Sequence, residues 1–294
     1  MDPHLLRTFV TVTRLGSFSA AARRLGYTQS AVSQHIAALE SDLGLPLLTR
    51  RPVAPTRAGA RLLEHAVPLL LRLDAARAEL GRMAAAPAGT VTVAAAPLAV
   101  GPRLLAALPD TARVTLRVQP RDAIPAALAT GAADLGLVDG LAAPSDPLHL
   151  PDTAPFTTTP VAEAPLAVHL PAGHPLAHRP GLRLGDLTAA RWLDAPAAGL
   201  PLDQLRAAHG TYGFRPALRY DGTDVRTLTA LAAAGRGLTL LPVTVPADAE
   251  AVAVPLVEPR LVHRVELLHS AAATENPERP GPAAALASRL TTAP

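Results

Sequence analysis

The run Ser17-Phe18-Ser19-Ala20-Ala21-Ala22-Arg23-Arg24-Leu25-Gly26-Tyr27-Thr28-Gln29-Ser30-Ala31-Val32-Ser33-Gln34-His35-Ile36 decides the fold of the N-terminal part of this chain. Ser17 can cap a helix whose inner face is Phe18, Ala21, Ala22 and Leu25, and Gly26 ends it as a glycine just past the last turn. Thr28 caps the next helix, whose apolar positions Val32, Ile36, Leu39 and Leu43 recur at helical spacing until Gly44 and Pro46 close it. Upstream, Leu5, Leu6, Phe9 and Val10 predict a further short helix ended by Gly16. Three short helices with a tight Gly26-Tyr27-Thr28 link have the form of a helix-turn-helix.

The face opposite the apolar stripe of the third helix carries Gln29, Ser30, Ser33 and Gln34, amides and hydroxyls without a charge. Its carboxylates, Glu40 and Asp42, stand at the far end. A plain solvated face would account for this. A helix that enters the major groove accounts for more, because a Gln amide pairs bidentately with adenine and hydroxyls serve most base edges. Carboxylates in the first turns would repel phosphate.

After Pro46, two short extended pieces around Arg50, Arg51 and Pro52 predict a β-wing whose arginines reach phosphates or the minor groove. An ordinary polar turn is the alternative. Thr56 then caps a long helix running to about Met83. Leu62, Ala66, Leu69, Leu73, Ala76, Leu80 and Met83 follow steps of 4 and 3 along it. That heptad fits a dimerising coiled-coil seam, and it also fits a helix packed on its own domain. Pro68 interrupts the pattern and predicts a kink near Glu64–Pro68, since a proline removes a helical hydrogen bond at a cost of about 3 kcal/mol.

Residues 1–90 hold 11 arginines against 6 carboxylates, a net +5, and residues 91–294 hold 16 against 18, a net −2. A basic head suits a polyanionic partner. With Cys 0, thiol catalysis, cysteine zinc sites and redox switching are excluded. The N-terminus lacks a signal-peptide pattern, and the charge-free stretch Met83–Pro102 carries too many helix breakers to span a membrane. The expectation is a soluble, cytoplasmic protein.

Beyond Ala84–Gly89, read as a hinge, strands and helices alternate. Strands are expected at 90–95, 113–118, 134–138, 165–170, 217–220, 238–241, 252–257 and 262–269, with helices at 102–108, 123–129, 202–209, 223–234 and 282–290. The fold class is α/β, with room for two lobes and a cleft between them. No zinc, P-loop or nucleophile-elbow motif is present, so neither a cofactor nor an enzyme is expected. His174 and His178 lie in a Gly/Pro-rich loop, Gly235-Arg236-Gly237 precedes a strand, and Trp192 reads as core.

The quoted run, continued through Leu39-Glu40, closely resembles the LysR-type transcriptional regulators over residues 1–66. Asp134-Leu135-Gly136-Leu137-Val138, Pro171–Leu176 and Gly235–Pro242 resemble family segments more loosely. The resemblance implies a winged helix-turn-helix (1–58), a dimerising linker helix and hinge (59–88), and a two-lobed body (89–294) like type 2 periplasmic binding proteins. It implies double-stranded promoter DNA and a small-molecule effector as partners, and a homodimer or homotetramer as the assembly. The family's base-contacting positions fall on Gln29, Ser30, Ser33 and Gln34, and its backbone-contacting positions on Thr28, His35, Arg50 and Arg51. The wing is about two residues shorter than the common pattern.

Effector-binding positions fall on Pro97, Leu98, Arg121, Asp139, Gly199 and Asp224, with Asp139, Asp221 and Asp224 expected at loop ends. Ala96–Ala99 and Ala197–Pro201 lack the hydroxyls that family members place there. Three readings follow: a more apolar ligand, Arg121 as the anion contact, or a degenerate site. An architectural DNA-binding protein that ignores small molecules is the alternative function.

Overall fold

The computed structural model describes residues 1–85, 90–110, 112–148, 150, 156–210, 213–270 and 281–292. Residues 86–89 of the expected hinge lie outside this set. The chain divides into two compact units, Met1–Leu80 and Gly81–Pro294.

The first unit contains α1 (Pro3–Leu15), α2 (Phe18–Leu25), α3 (Gln29–Leu43), β1 (Leu48–Arg50), β2 (Val53–Pro55) and most of α4 (Arg57–Ala85). Local chemistry sets the helix ends as the residues suggest. The Ser17 hydroxyl accepts the Ala20 N–H and the Thr28 hydroxyl accepts the Ala31 N–H. Gly26 adopts φ +72°, a left-handed conformation that sterically disfavours side chains, and so turns α2 into the link before α3. Phe9, Ala21, Val32, Ile36 and Leu39 form one fully buried core.

Helix α4 runs uninterrupted across Pro68. Its expected stripe divides into two parts. Ala66 is fully buried in the core of its own unit, with Leu62 packed against it, whereas Leu69 and Leu80 are 46% and 66% exposed. The side chain of Met83 lies outside the described residues.

The second unit is built on an eight-stranded mixed sheet in the order β4-β3-β5-β12-β6-β11-β7, with β10 also paired to β6. These strands are β3 (Thr90–Ala95), β4 (Arg113–Val118), β5 (Leu135–Ala142), β6 (Phe156–Pro171), β7 (Leu182–Arg183), β10 (Thr239–Pro242), β11 (Ala251–Glu258) and β12 (Val262–Ser270). A separate parallel pair joins β8 (Arg191–Asp194) to β9 (Arg215–Arg219). The helices are α5 (Pro102–Ala107), α6 (Ile124–Ala129), α7 (Leu202–His209), α8 (Val225–Ala233) and α9 (Pro282–Thr291).

Two apolar cores give this unit its two lobes. One gathers Val93, Leu104, Ile124, Leu135, Leu267 and Leu286, the other Leu166, Leu184, Trp192, Phe214, Leu228 and Leu241. Strand β6 joins them: its first part pairs with β12 and its last part with β10 and β11. The sequence pattern predicts only 165–170 as strand. Pro160 and Pro165 conceal the rest, because proline cannot donate to a sheet ladder. A register shift opposite Pro160 absorbs the missing donor. The short strands β7 and β8 also escape prediction by composition. Among the described residues no helix is long and apolar enough to cross a membrane.

Candidate DNA-reading head and ligand cavities

Thr28, Gln29, Ser30 and Gln34 are exposed at the start of α3, and Ser33 is half-buried. Ser19 of α2 donates its hydroxyl hydrogen to Gln29 Oε1 at 2.9 Å, which orients that amide across the turn. His35 is held more firmly. Its Nδ1 lies 3.1 Å from the Thr8 hydroxyl, and that hydroxyl already donates to the His4 carbonyl. The Tyr27 ring meets His35 edge to face at 5.1 Å.

The wing exists, with Arg50 ending β1 and Arg51 in the turn before β2. Glu40 positions it from the end of α3. Its Oε1 accepts the Leu47 and Leu48 N–H groups at 2.8 and 3.2 Å, and its Oε2 lies 3.7 Å from Arg50. The Arg50 guanidinium also lies 5.2 Å from the centre of the Phe18 ring. Arg51 is exposed. At Gly59 a side-chain carbon would lie 2.0 Å from the Leu47 carbonyl oxygen, so only glycine lets α4 start against the wing.

In the second unit a cavity of about 670 Å³ opens between Pro120–Asp122 of the first lobe and residues 194–221 of the second. Its guanidinium groups are already engaged. Arg219 binds Asp194 at 2.8 Å and Asp221 at 2.9 Å, and its pKa is raised, first by the Asp221 hydrogen bond. Arg206 donates to the Gly213 and Phe214 carbonyls. Arg121 donates to the Asp139 carbonyl at 3.1 Å and the Gly199 carbonyl at 2.5 Å, and lies 3.5 Å from the Asp139 carboxylate. A second cavity of about 560 Å³ adjoins it and shares Arg121, Asp122 and Gln204.

The family model for a "Bacterial regulatory helix-turn-helix protein, lysR family" matches residues 3–60, and that for a "LysR substrate binding domain" matches residues 84–288. The chain belongs to the LysR family. It is a transcriptional regulator with a helix-turn-helix DNA-binding domain and a substrate-binding domain, and the family is one of regulators, not enzymes. The HTH-type regulator YnfL of Escherichia coli K12 is 30% identical over 81% of this chain and 80% of its own. The small neutral protease regulatory protein of Streptomyces coelicolor is 30% identical over 80% of this chain and 71% of its own. Among solved structures, full-length BenM has a TM-score of 0.52 at 25% identity, covering 99% of this chain and 95% of its own. CbnR complexed with its target DNA has a TM-score of 0.52 at 23% identity, covering 99% of both chains.

In this LysR-family regulator the residues expected at the groove lie together at the start of α3 and on the wing, while the expected effector residues are scattered. Leu98 is buried in the apolar core of the second lobe. The carbonyl of Gly199 accepts from Arg121. Asp139 lies within β5, 2% exposed, and not at a loop end. Asp224 caps α8; the Thr227 hydroxyl, then the Thr227 and Arg226 N–H groups, hold its carboxyl below the usual range. Pro97, Leu98, Gly199 and Asp224 are absent from the lining of both cavities, where Arg121 and Asp139 remain. Arg121 is held by the Asp139 and Gly199 carbonyls and lies beside the Asp139 carboxylate. Ser19, Glu40 and Gln204 were missed, and no local pattern marks them, because each acts across elements.

Trp192 is core, as expected: its Nε1–H donates to the Leu187 carbonyl at 3.1 Å. His174 Nδ1 accepts the Leu176 N–H inside its loop.

Proposed function

We propose that the protein acts in the cytoplasm as a homodimer or a homotetramer on an interrupted, partly palindromic promoter site. Gln29, Ser30, Ser33 and Gln34 read base edges in the major groove, and Thr28, His35, Arg50 and Arg51 hold the backbone. The exposed Leu69 and Leu80 of α4, with Leu73 between them, form the dimer seam. A small molecule in the cleft beside Arg121 alters how the dimers bend DNA. The observation that carries this reading is the exposed, uncharged row Gln29, Ser30 and Gln34 at the start of α3, on a helix whose Glu40 supports an arginine-bearing wing.

Footprinting the purified protein on the region upstream of its neighbouring gene tests the proposal. Protection of a discrete two-part site is expected, with affinity falling steeply as salt is raised. Uniform coating of any duplex would sink sequence-specific reading. The competing reading, an architectural DNA-binding protein with a non-responsive body, draws on Leu98 and Arg121 being spent on packing and lobe contacts. A thermal-shift screen with metabolites separates the two, and a stabilising hit rejects the architectural reading.

A further inference from the structure

Two neighbouring residues of α1 join the helix that faces DNA to the helix that leaves the head. Thr8 Oγ1 lies 3.1 Å from His35 Nδ1 on α3. Arg7 donates from both terminal nitrogens to the two carboxylate oxygens of Asp74 on α4, at 2.6 and 3.2 Å. A planar guanidinium held at two points resists swivelling as well as separation, which a single-point contact does not.

Asp74 stands where such a contact has the most leverage. Leu63, Val67 and Leu70 pack on the core of the head at helical steps of 4 and 3, and among the described residues nothing of α4 beyond Leu70 joins that core. Asp74 lies one turn further on the same face, its side chain 20% exposed against 39% for Arg7. From Leu70 the helix runs about 15 Å to Leu80. A tilt of about 15° at Leu70 would therefore shift Leu80 by about 4 Å. One base pair of DNA rises by a similar length, about 3.4 Å. Apolar packing is non-directional and tolerates such rocking, whereas a two-point ion pair at the end of the contact opposes it.

We propose that Arg7 and Asp74 are positioning residues for DNA recognition: their pair fixes the angle at which α4 leaves the head, and so sets the half-site spacing that the dimer accepts. This inference rests on the reading of Leu69, Leu73 and Leu80 as the dimer seam. With the seam held between protomers, the direction of α4 determines how far apart the two α3 helices stand.

The test measures binding of the full-length protein to the footprinted site, to the same site with one base pair added or removed between its halves, and to random duplex. Loss of one partly exposed pair corresponds to about a factor of five, and a dimer holds two. Asp74→Ala should accordingly reduce the parent's preference for its own spacing by about five- to twentyfold. Arg7→Gln should reduce it in the same way. Removing a carboxylate favours every DNA, so Asp74→Ala should bind random duplex no more weakly than the parent. A parent-like spacing preference in either variant overturns the proposal, and so does a fall of equal size on every DNA in Asp74→Ala. A parent without a preferred spacing overturns the two-part reading and this inference together; a preferred spacing that both variants keep overturns the positioning role alone.

Discussion

Arg121, from the first lobe, donates to the carbonyl of Gly199 in the second at 2.5 Å. The same guanidinium holds the Asp139 carbonyl at 3.1 Å, so one side chain clamps the lobes on the cleft side of β5. Replacing it with Gln should loosen the clamp while leaving each lobe's core intact. Faster amide hydrogen exchange around Gly199 is the expected result. Exchange identical to that of the parent protein would show that the clamp does not hold the lobes.

Gln34 is exposed on α3 and so is free to meet a base. Gln34→Ala should cost about 1–3 kcal/mol of sequence discrimination. The measurement is the ratio of affinities for the footprinted site and for random duplex. An equal loss on both DNAs would assign Gln34 to the backbone.

The two parts of the α4 stripe separate folding from assembly. Leu69→Asp with Leu80→Asp changes exposed positions and should give a folded monomer with weak operator binding. Ala66→Asp would instead place a carboxylate in the buried core and unfold the head. Sedimentation and circular dichroism distinguish these outcomes. A dimer that survives the double exposed substitution would place the seam elsewhere.

His169 in β6 is fully buried with no hydrogen-bond partner on either ring nitrogen, and burial lowers its pKa from 6.5 to about 4. The unfolded chain takes up this proton near its ordinary pKa, whereas the folded chain resists it until about pH 4. Stability from this group is thus complete above pH 6.5 and falls as the pH drops from 6.5 towards 4, by at most about 3 kcal/mol. Denaturant midpoints across that range should fall less for His169→Leu than for the parent. Parallel curves would mean that the ring is not kept neutral by the fold.

Much of the head could be read locally. Ser17, Thr28, Gly16, Gly26 and Gly44 cap helices through contacts a few residues away, so sequence spacing is enough to find them. The face of α3 is legible for the same reason, since helical period alone sorts Val32 and Ile36 from Gln29 and Gln34. Period fails for α4, where Ala66 and Leu80, two heptads apart, occupy equivalent positions and have opposite fates. Which of them is covered depends on how far the head's core extends along the helix.

By itself, the order of residues settled the family, the α/β class, the helix ends and the polar row at the start of α3. Each of these depends on neighbours within one turn or one strand. Tertiary structure decided the long β6 that joins the lobes, the Glu40 support of the wing, and the Arg121–Gly199 clamp. It also spent Leu98 on packing and buried Asp139. The physical reason is distance along the chain: Arg121 and Gly199 meet only after two separate lobes have folded, and a burial pattern that depends on both cannot be written in either segment alone.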